Sequence, residues 1–232
     1  LMGCDKPMVS LDGPTSVERL IVPGQGFGLG SLITGTAPFR EAIARRFAQD
    51  VAPEGAEKLY ISRSKLPAGR GNLIGEEALE QMLAAEGYQI FHPEKHDLRT
   101  QIAAYKAARQ IIAAEGSALH LLAMVAQPEQ QVAIVVRRPS AATQGLERHL
   151  QSFAGITPAT LCHLTRSWKP KGSAKSRTWM GELDMAGLQQ SLAQAGFISA
   201  GGAAWPQIDE AVLQARLGDR YEIVQAGAGA QP

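Results

Sequence analysis

Arg63, Lys65 and Arg70 fall within eight residues of one another, and Gly69 and Gly71 flank the last of them. A guanidinium pairs two phosphate oxygens through a planar fork, and glycines let the backbone approach an anion closely. A diphosphate is the ligand such a loop suits when it stands at the carboxyl end of a strand. A solvated basic loop is the plain alternative. A second cluster is Glu115-Gly116-Ser117-Ala118-Leu119-His120. It follows an apolar run and opens a short apolar helix, so free N–H groups there form an anion site. Ser117 reads equally well as a helix cap. His120 is placed to hydrogen-bond a phosphate or a sugar hydroxyl, or to be a satisfied, partly buried histidine.

Other chemistry-bearing patterns are weaker. Gly24–Gly30 misses the third glycine of a dinucleotide fingerprint, with Leu29 or Ser31 in its place, and reads as a connector. Five basic residues and no acid lie between Arg166 and Arg177, beside Trp168 and Trp179. That run reads as a mobile solvated loop, with an acceptor-side or membrane-surface role as the alternative. His92 and His96 are separated by Pro93 and a turn, which spoils a helical ligand pair, and no acidic pair suits a metal-bound diphosphate. No tightly bound metal or cofactor is expected, and no nucleic acid.

The elements that must position these residues alternate. Expected strands are Leu59–Ser62, Tyr88–His92, Gln110–Ala114 and Gln131–Val136, the last apolar throughout as in a buried parallel strand. Expected helices are Glu76–Glu86, Leu98–Arg109 capped by Asp97, and Ala118–Ala126. Strand–helix alternation at short spacing argues an α/β fold: a Rossmann-like parallel sheet flanked by helices. Earlier, Val17–Pro23 reads as a strand and Ala37–Asp50 as a helix. Later, Ala141–Leu150, Asp184–Ala195 and Asp209–Leu217 read as helices and Ala159–Thr165 as a strand. The division expected is a lead-in and connector over 1–57, the nucleotide-binding domain over 58–225 and a disordered tail over 226–232.

Composition adds bounds. A hydrophobic fraction of 45% over 232 residues supports a real core, and a net charge of +1 names no partner. The two cysteines, Cys4 and Cys162, have no metal or disulfide spacing and fit a reducing compartment. No apolar run is long enough to span a bilayer. The first residues carry neither an initiator methionine nor a signal-peptide pattern, so the chain reads as a piece whose N-terminal part is short or missing.

In order, Ser62-Arg63, Arg70, Asn72 with Glu76, Gln101-Ile102 with Ala108, and the turn Gly116-Ser117-Ala118-Leu119-His120 resemble glycosyltransferase family 61 of the capsular polysaccharide type. The likeness covers Lys58 to Arg138, more faintly Val17–Asp50. Two departures leave the donor open: Leu-Ile-Gly separates Asn72 from Glu76, and Glu115 stands where many members have histidine. The resemblance implies the donor half of a GT-B fold. It implies metal-independent, inverting transfer from a UDP-, GDP- or CMP-sugar to a glycan or lipid-linked glycan, in the cytoplasm or at the inner membrane face. It implies diphosphate binding by Arg63, Arg70, Gly116, Ser117 and His120, with Ser62, Lys65, Asn72 and Glu76 in support. Glu115 and His120 are the candidates for the catalytic base. A non-catalytic module that keeps the phosphate site, or an unrelated α/β enzyme of a phosphorylated small molecule, are the other readings.

Overall fold

The computed structural model describes residues 1–3, 6–28, 30–67 and 69–224. A helix α1 (Ala37–Arg46) precedes an alternating run: β1 (Lys58–Ile61), α2 (Glu76–Ala85), β2 (Gln89–Phe91), α3 (Leu98–Ala107), β3 (Gln110–Ala114), α4 (Ala118–Val125), β4 (Gln131–Val135), α5 (Ala142–Ala154) and β5 (Ala159–Leu161). These five strands form one parallel sheet in the order β2-β1-β3-β4-β5. The chain therefore steps outward from β1 to β2, then returns past β1 to β3. The reversal puts a topological switch point between β1 and β3.

Both faces of the sheet are buried, which is why its strands are apolar at consecutive positions. Leu59, Ile61, Ile111, Ala113, Val132 and Ile134 pack against Ile102 and Tyr105 of α3, Leu119 and Leu122 of α4, and Leu146 and Leu150 of α5. The intervening residues Tyr60, Ile112, Ala114, Ala133 and Val135 face Leu79 and Leu83 of α2 and, from α6 (Met185–Gln194), Leu188 and Leu192. Asp97 caps α3 by accepting from the Thr100 N–H at 2.8 Å. The expected elements from β1 to β4 agree with these boundaries to within two residues.

Elsewhere the expectations need correction. Val17–Pro23 forms no strand: Leu20, Ile21 and Val22 are exposed and nothing pairs with them among the described residues. α1 stops at Arg46, short of Asp50. The basic stretch from Arg166 begins in a strand rather than a loop. Arg166 and Lys169 lie in β6 (Leu164–Pro170), the centre of an antiparallel sheet flanked by β7 (Met180–Leu183) and β8 (Tyr221–Ile223). Arg166 pairs there with Glu182 at 2.6 Å and Lys169 with Glu222 at 3.1 Å, whereas Lys171, Lys175 and Arg177 follow the strand and are exposed. The segment expected as one strand over Ala159–Thr165 is split between β5 and β6. A helix α7 (Glu210–Leu217) packs Leu213 and Leu217 onto this small sheet through Met180. The tail over 226–232 lies outside the described residues, as does Cys4.

Candidate functional site

The loop after β1 is anchored from beneath. Glu76, the first residue of α2, is buried, and its Oε1 accepts from the Tyr60 hydroxyl (2.8 Å), the Ser62 hydroxyl (3.1 Å) and the Arg63 backbone N–H (2.8 Å). Burial pushes its carboxyl up to about 7. Ser62 Oγ also lies 2.6 Å from Glu80 Oε1. The hydrogen bonds from Arg63, Tyr60 and Ser62 favour the charged carboxylate of Glu76 and so oppose that rise. Ser62 and Glu76 thus hold the loop from behind; neither they nor Asn72 lines the cleft, and Lys65 is exposed and outside its lining.

Arg63 crosses the switch point. Its Nε and Nη2 donate to the Gly71 carbonyl at 3.2 and 3.0 Å, and its Nη1 rests on Gly116 in the turn after β3. A Cβ at Gly116 would occupy the space of that guanidinium, so the glycine is there for close approach, not for backbone freedom. Burial lowers the Arg63 pKa, with Glu76 and Glu115 opposing the shift.

The turn itself opens α4. Ser117 forms no side-chain cap, and the N–H groups of Leu119 and His120 bond back to Gly116 and Ser117 at 3.2 and 3.0 Å. The earlier N–H groups of the turn, with the positive end of the helix dipole, remain for an anion. His120 is half-buried on the cleft side, and its Nδ1 lies 2.9 Å from Nδ1 of His149 on α5. His149 is fully buried, with Phe27 and Phe153 ring centroids at 4.8 and 4.5 Å. Burial lowers both imidazoles, His149 to about 4 with His120 contributing.

Arg63, Gly69, Arg70, Glu115, Gly116, Ser117 and His120 line one cleft of about 510 Å³, a volume suited to a nucleotide-sized ligand. Three more arginines line it that the sequence argument did not place at the phosphate site: Arg137, Arg138 and Arg177, with Thr178 beside them and Ala142 and Leu146 of α5 as an apolar wall. Arg137 and Arg138 follow the end of β4 after Val136, and the strand-end rule that picked out Arg63 applies equally to them. Arg177 carried no such signal, because its position depends on the antiparallel sheet.

The arginines are not equivalent. Arg137 is buried, donating to the carbonyls of Glu115 and Trp179 at 3.0 Å each, and burial lowers its pKa to about 10. Arg138 pairs with Glu115 at 2.8 Å and donates to Ser176 Oγ at 3.2 Å. Glu115, the one acid lining the cleft, is thereby spent as a buried counter-ion. Arg70 and Arg177 stand exposed at the rim, brought together because the Gly71 N–H donates to the Arg177 carbonyl at 3.1 Å. The same edge continues with Gly181 N–H to Asn72 O (3.0 Å) and Ile74 N–H to Gly181 O (2.8 Å), so the loop behaves as an extra strand on β7. Five guanidiniums against one carboxylate make this a site for a multiply charged anion.

Comparison with known proteins bears on what that anion serves. The family model described as Glycosyltransferase 61 matches residues 7–133, more than half of the 232 residues. A comparison with curated proteins finds no match. The matched stretch contains Arg63, Arg70 and the Glu115–His120 turn, while Arg137, Arg138 and Arg177 lie beyond it. With an arginine-lined cleft at the switch point of a doubly wound sheet, and a family model spanning that sheet from its lead-in into β4, the chain belongs to glycosyltransferase family 61.

Proposed function

We propose that the cleft binds the diphosphate of a nucleotide-sugar donor and that the sugar passes, with inversion, to a glycan or lipid-linked glycan acceptor. The observation that carries this reading is the convergence of Arg63, Arg70 and the α4 N-terminus on one cavity between β1 and β3. As the glycosidic bond breaks, charge grows on the leaving diphosphate. Fixed guanidiniums and backbone N–H groups stabilise that charge without reorganising, a role that elsewhere falls to a metal. His120 would donate to a phosphate oxygen or a sugar hydroxyl. In a GT-B arrangement this doubly wound sheet is the donor half. The bacterial surface polysaccharides made by capsular-type members of the family are the expected products. A cytoplasmic site of action, peripheral to the membrane, completes the proposal; no helix among the described residues is long and apolar enough to cross a bilayer.

A second reading keeps donor binding and omits transfer. It is favoured by one observation: Glu115, the single acid in the cleft, is ion-paired with Arg138 and so is not free to act as a base. Thermal shift against UDP, GDP and CMP tests the shared step. Stabilisation by one of them, lost in Arg63→Ala, is expected, and no response to any nucleotide would refute both readings. Transfer or hydrolysis of the matching sugar nucleotide then separates them.

A further inference from the structure

Of the buried polar groups outside the diphosphate contacts, His149 is the most telling. It is fully buried on α5, its Nδ1 meets Nδ1 of His120 at 2.9 Å, and its Nε2 is buried with no partner. A contact of that length between two ring nitrogens needs one proton between them, so one imidazole donates and the other accepts. Two neutral arrangements satisfy this. If His120 donates, its Nε2 turns a lone pair towards the cleft, and His149 must carry its own proton on Nε2. That N–H would be buried without a hydrogen-bond acceptor, in a surround that includes the rings of Phe27 and Phe153, weak acceptors at best. A buried N–H without an acceptor is among the rarest features of folded proteins. If His149 donates, its buried Nε2 is a bare nitrogen, and His120 presents Nε2–H to the cleft.

We infer that His149 is a positioning residue: its Nδ1–H donates to His120 Nδ1 and so fixes His120 as a neutral donor, Nε2–H outward, to an anionic oxygen of the ligand. This rests on the donor-diphosphate reading for the identity of that oxygen. The pair's own geometry does not depend on it. An anion in the cleft reinforces the same arrangement, because a lone pair aimed at a phosphate oxygen is repelled while an N–H is attracted. The low basicity of both rings keeps the pair neutral and the single proton in place. His120 is thereby excluded as a general base through Nε2.

The test begins with nitrogen-15 NMR of the imidazoles in the ligand-free protein. His149 protonated at Nδ1 and His120 protonated at Nε2 is the expected pattern; protonation of His120 at Nδ1 overturns the inference. UDP affinity then supplies the functional arm. His149→Phe keeps the ring's bulk and deletes the donor, and should weaken UDP about tenfold. His149→Asn, whose amide nitrogen stands near the place of Nδ1, should restore most of the loss. The double variant His120→Phe/His149→Phe should bind no worse than His120→Phe alone, a coupling that general loosening of the core would not give. Additive losses, or equal losses in the Phe and Asn variants, would overturn the assignment. A wild-type protein with the expected tautomers that binds no nucleotide would overturn the donor reading and leave the His149 assignment standing.

Discussion

Gly116 and Glu76 act on Arg63 from opposite sides. Gly116 has an ordinary backbone and an alanine there would fold, but its Cβ would displace the Arg63 guanidinium. Gly116→Ala should therefore lower nucleotide affinity about tenfold with little change in melting temperature; a variant that unfolds readily yet still binds would contradict this. Glu76 holds the Arg63 N–H from within the core. Its carboxyl titrates near 7 in the fold against an ordinary 4.5, so the folded chain keeps a proton that the unfolded chain releases. That stabilisation is complete below about pH 4.5 and is lost as pH rises towards 7, with a size on the order of 3 kcal/mol. Glu76→Gln should remove this contribution, so that urea unfolding followed across that window shows stability rising with pH relative to the wild type. Arg63 and Arg70 could be read from the chain because basic residues in a glycine-containing loop at a strand end are a local signal. The service of Glu76 behind Arg63 could not, because an acid in a helix's first turn looks the same exposed or buried.

β1, β3 and β4 were legible because a strand covered on both faces is apolar at consecutive positions, as in Gln131–Val135. The antiparallel sheet was not. β6 reads Leu-Thr-Arg-Ser-Trp-Lys-Pro, with one buried position among seven, and its charges are neutralised by partners on β7, β8 and α7. Val17–Pro23 errs in the other direction, apolar enough for a strand but left exposed. The sheet matters to the cleft through Arg137, which ties the turn after β3 to the residue before β7. Removing that guanidinium leaves two carbonyls without their charged donor. Arg137→Ala should cost about 3 kcal/mol of unfolding free energy, and should weaken nucleotide binding even though the residue sits at the back of the cleft. Unchanged stability would mean that the brace carries no load.

Across the whole molecule, two buried groups whose shifts span the mildly acidic range oppose one another. His149 is held neutral down to about 4 against an ordinary 6.5, so its contribution is present above pH 6.5 and lost as pH falls towards 4. Glu76 changes in the opposite sense over nearly the same interval. The wild-type stability profile should be flatter between pH 4.5 and 6.5 than that of either Glu76→Gln or His149→Phe, with slopes of opposite sign in the two variants. The pairing of the Arg63–Arg70 loop with β7 has a further meaning when the chain is considered in time. Leu73 meets Gly181 across 108 residues of sequence, whereas β1, β3 and β4 meet their neighbours over much shorter spans. During synthesis the parallel sheet can close while the loop still lacks its edge partner. In refolding, far-UV dichroism should recover before the capacity to bind nucleotide, because long loops close late. Simultaneous recovery would show that the loop takes its shape without β7. The arginine-lined cleft is then a late-forming property of the chain, and under the donor reading a nascent or partly unfolded molecule would hold no nucleotide.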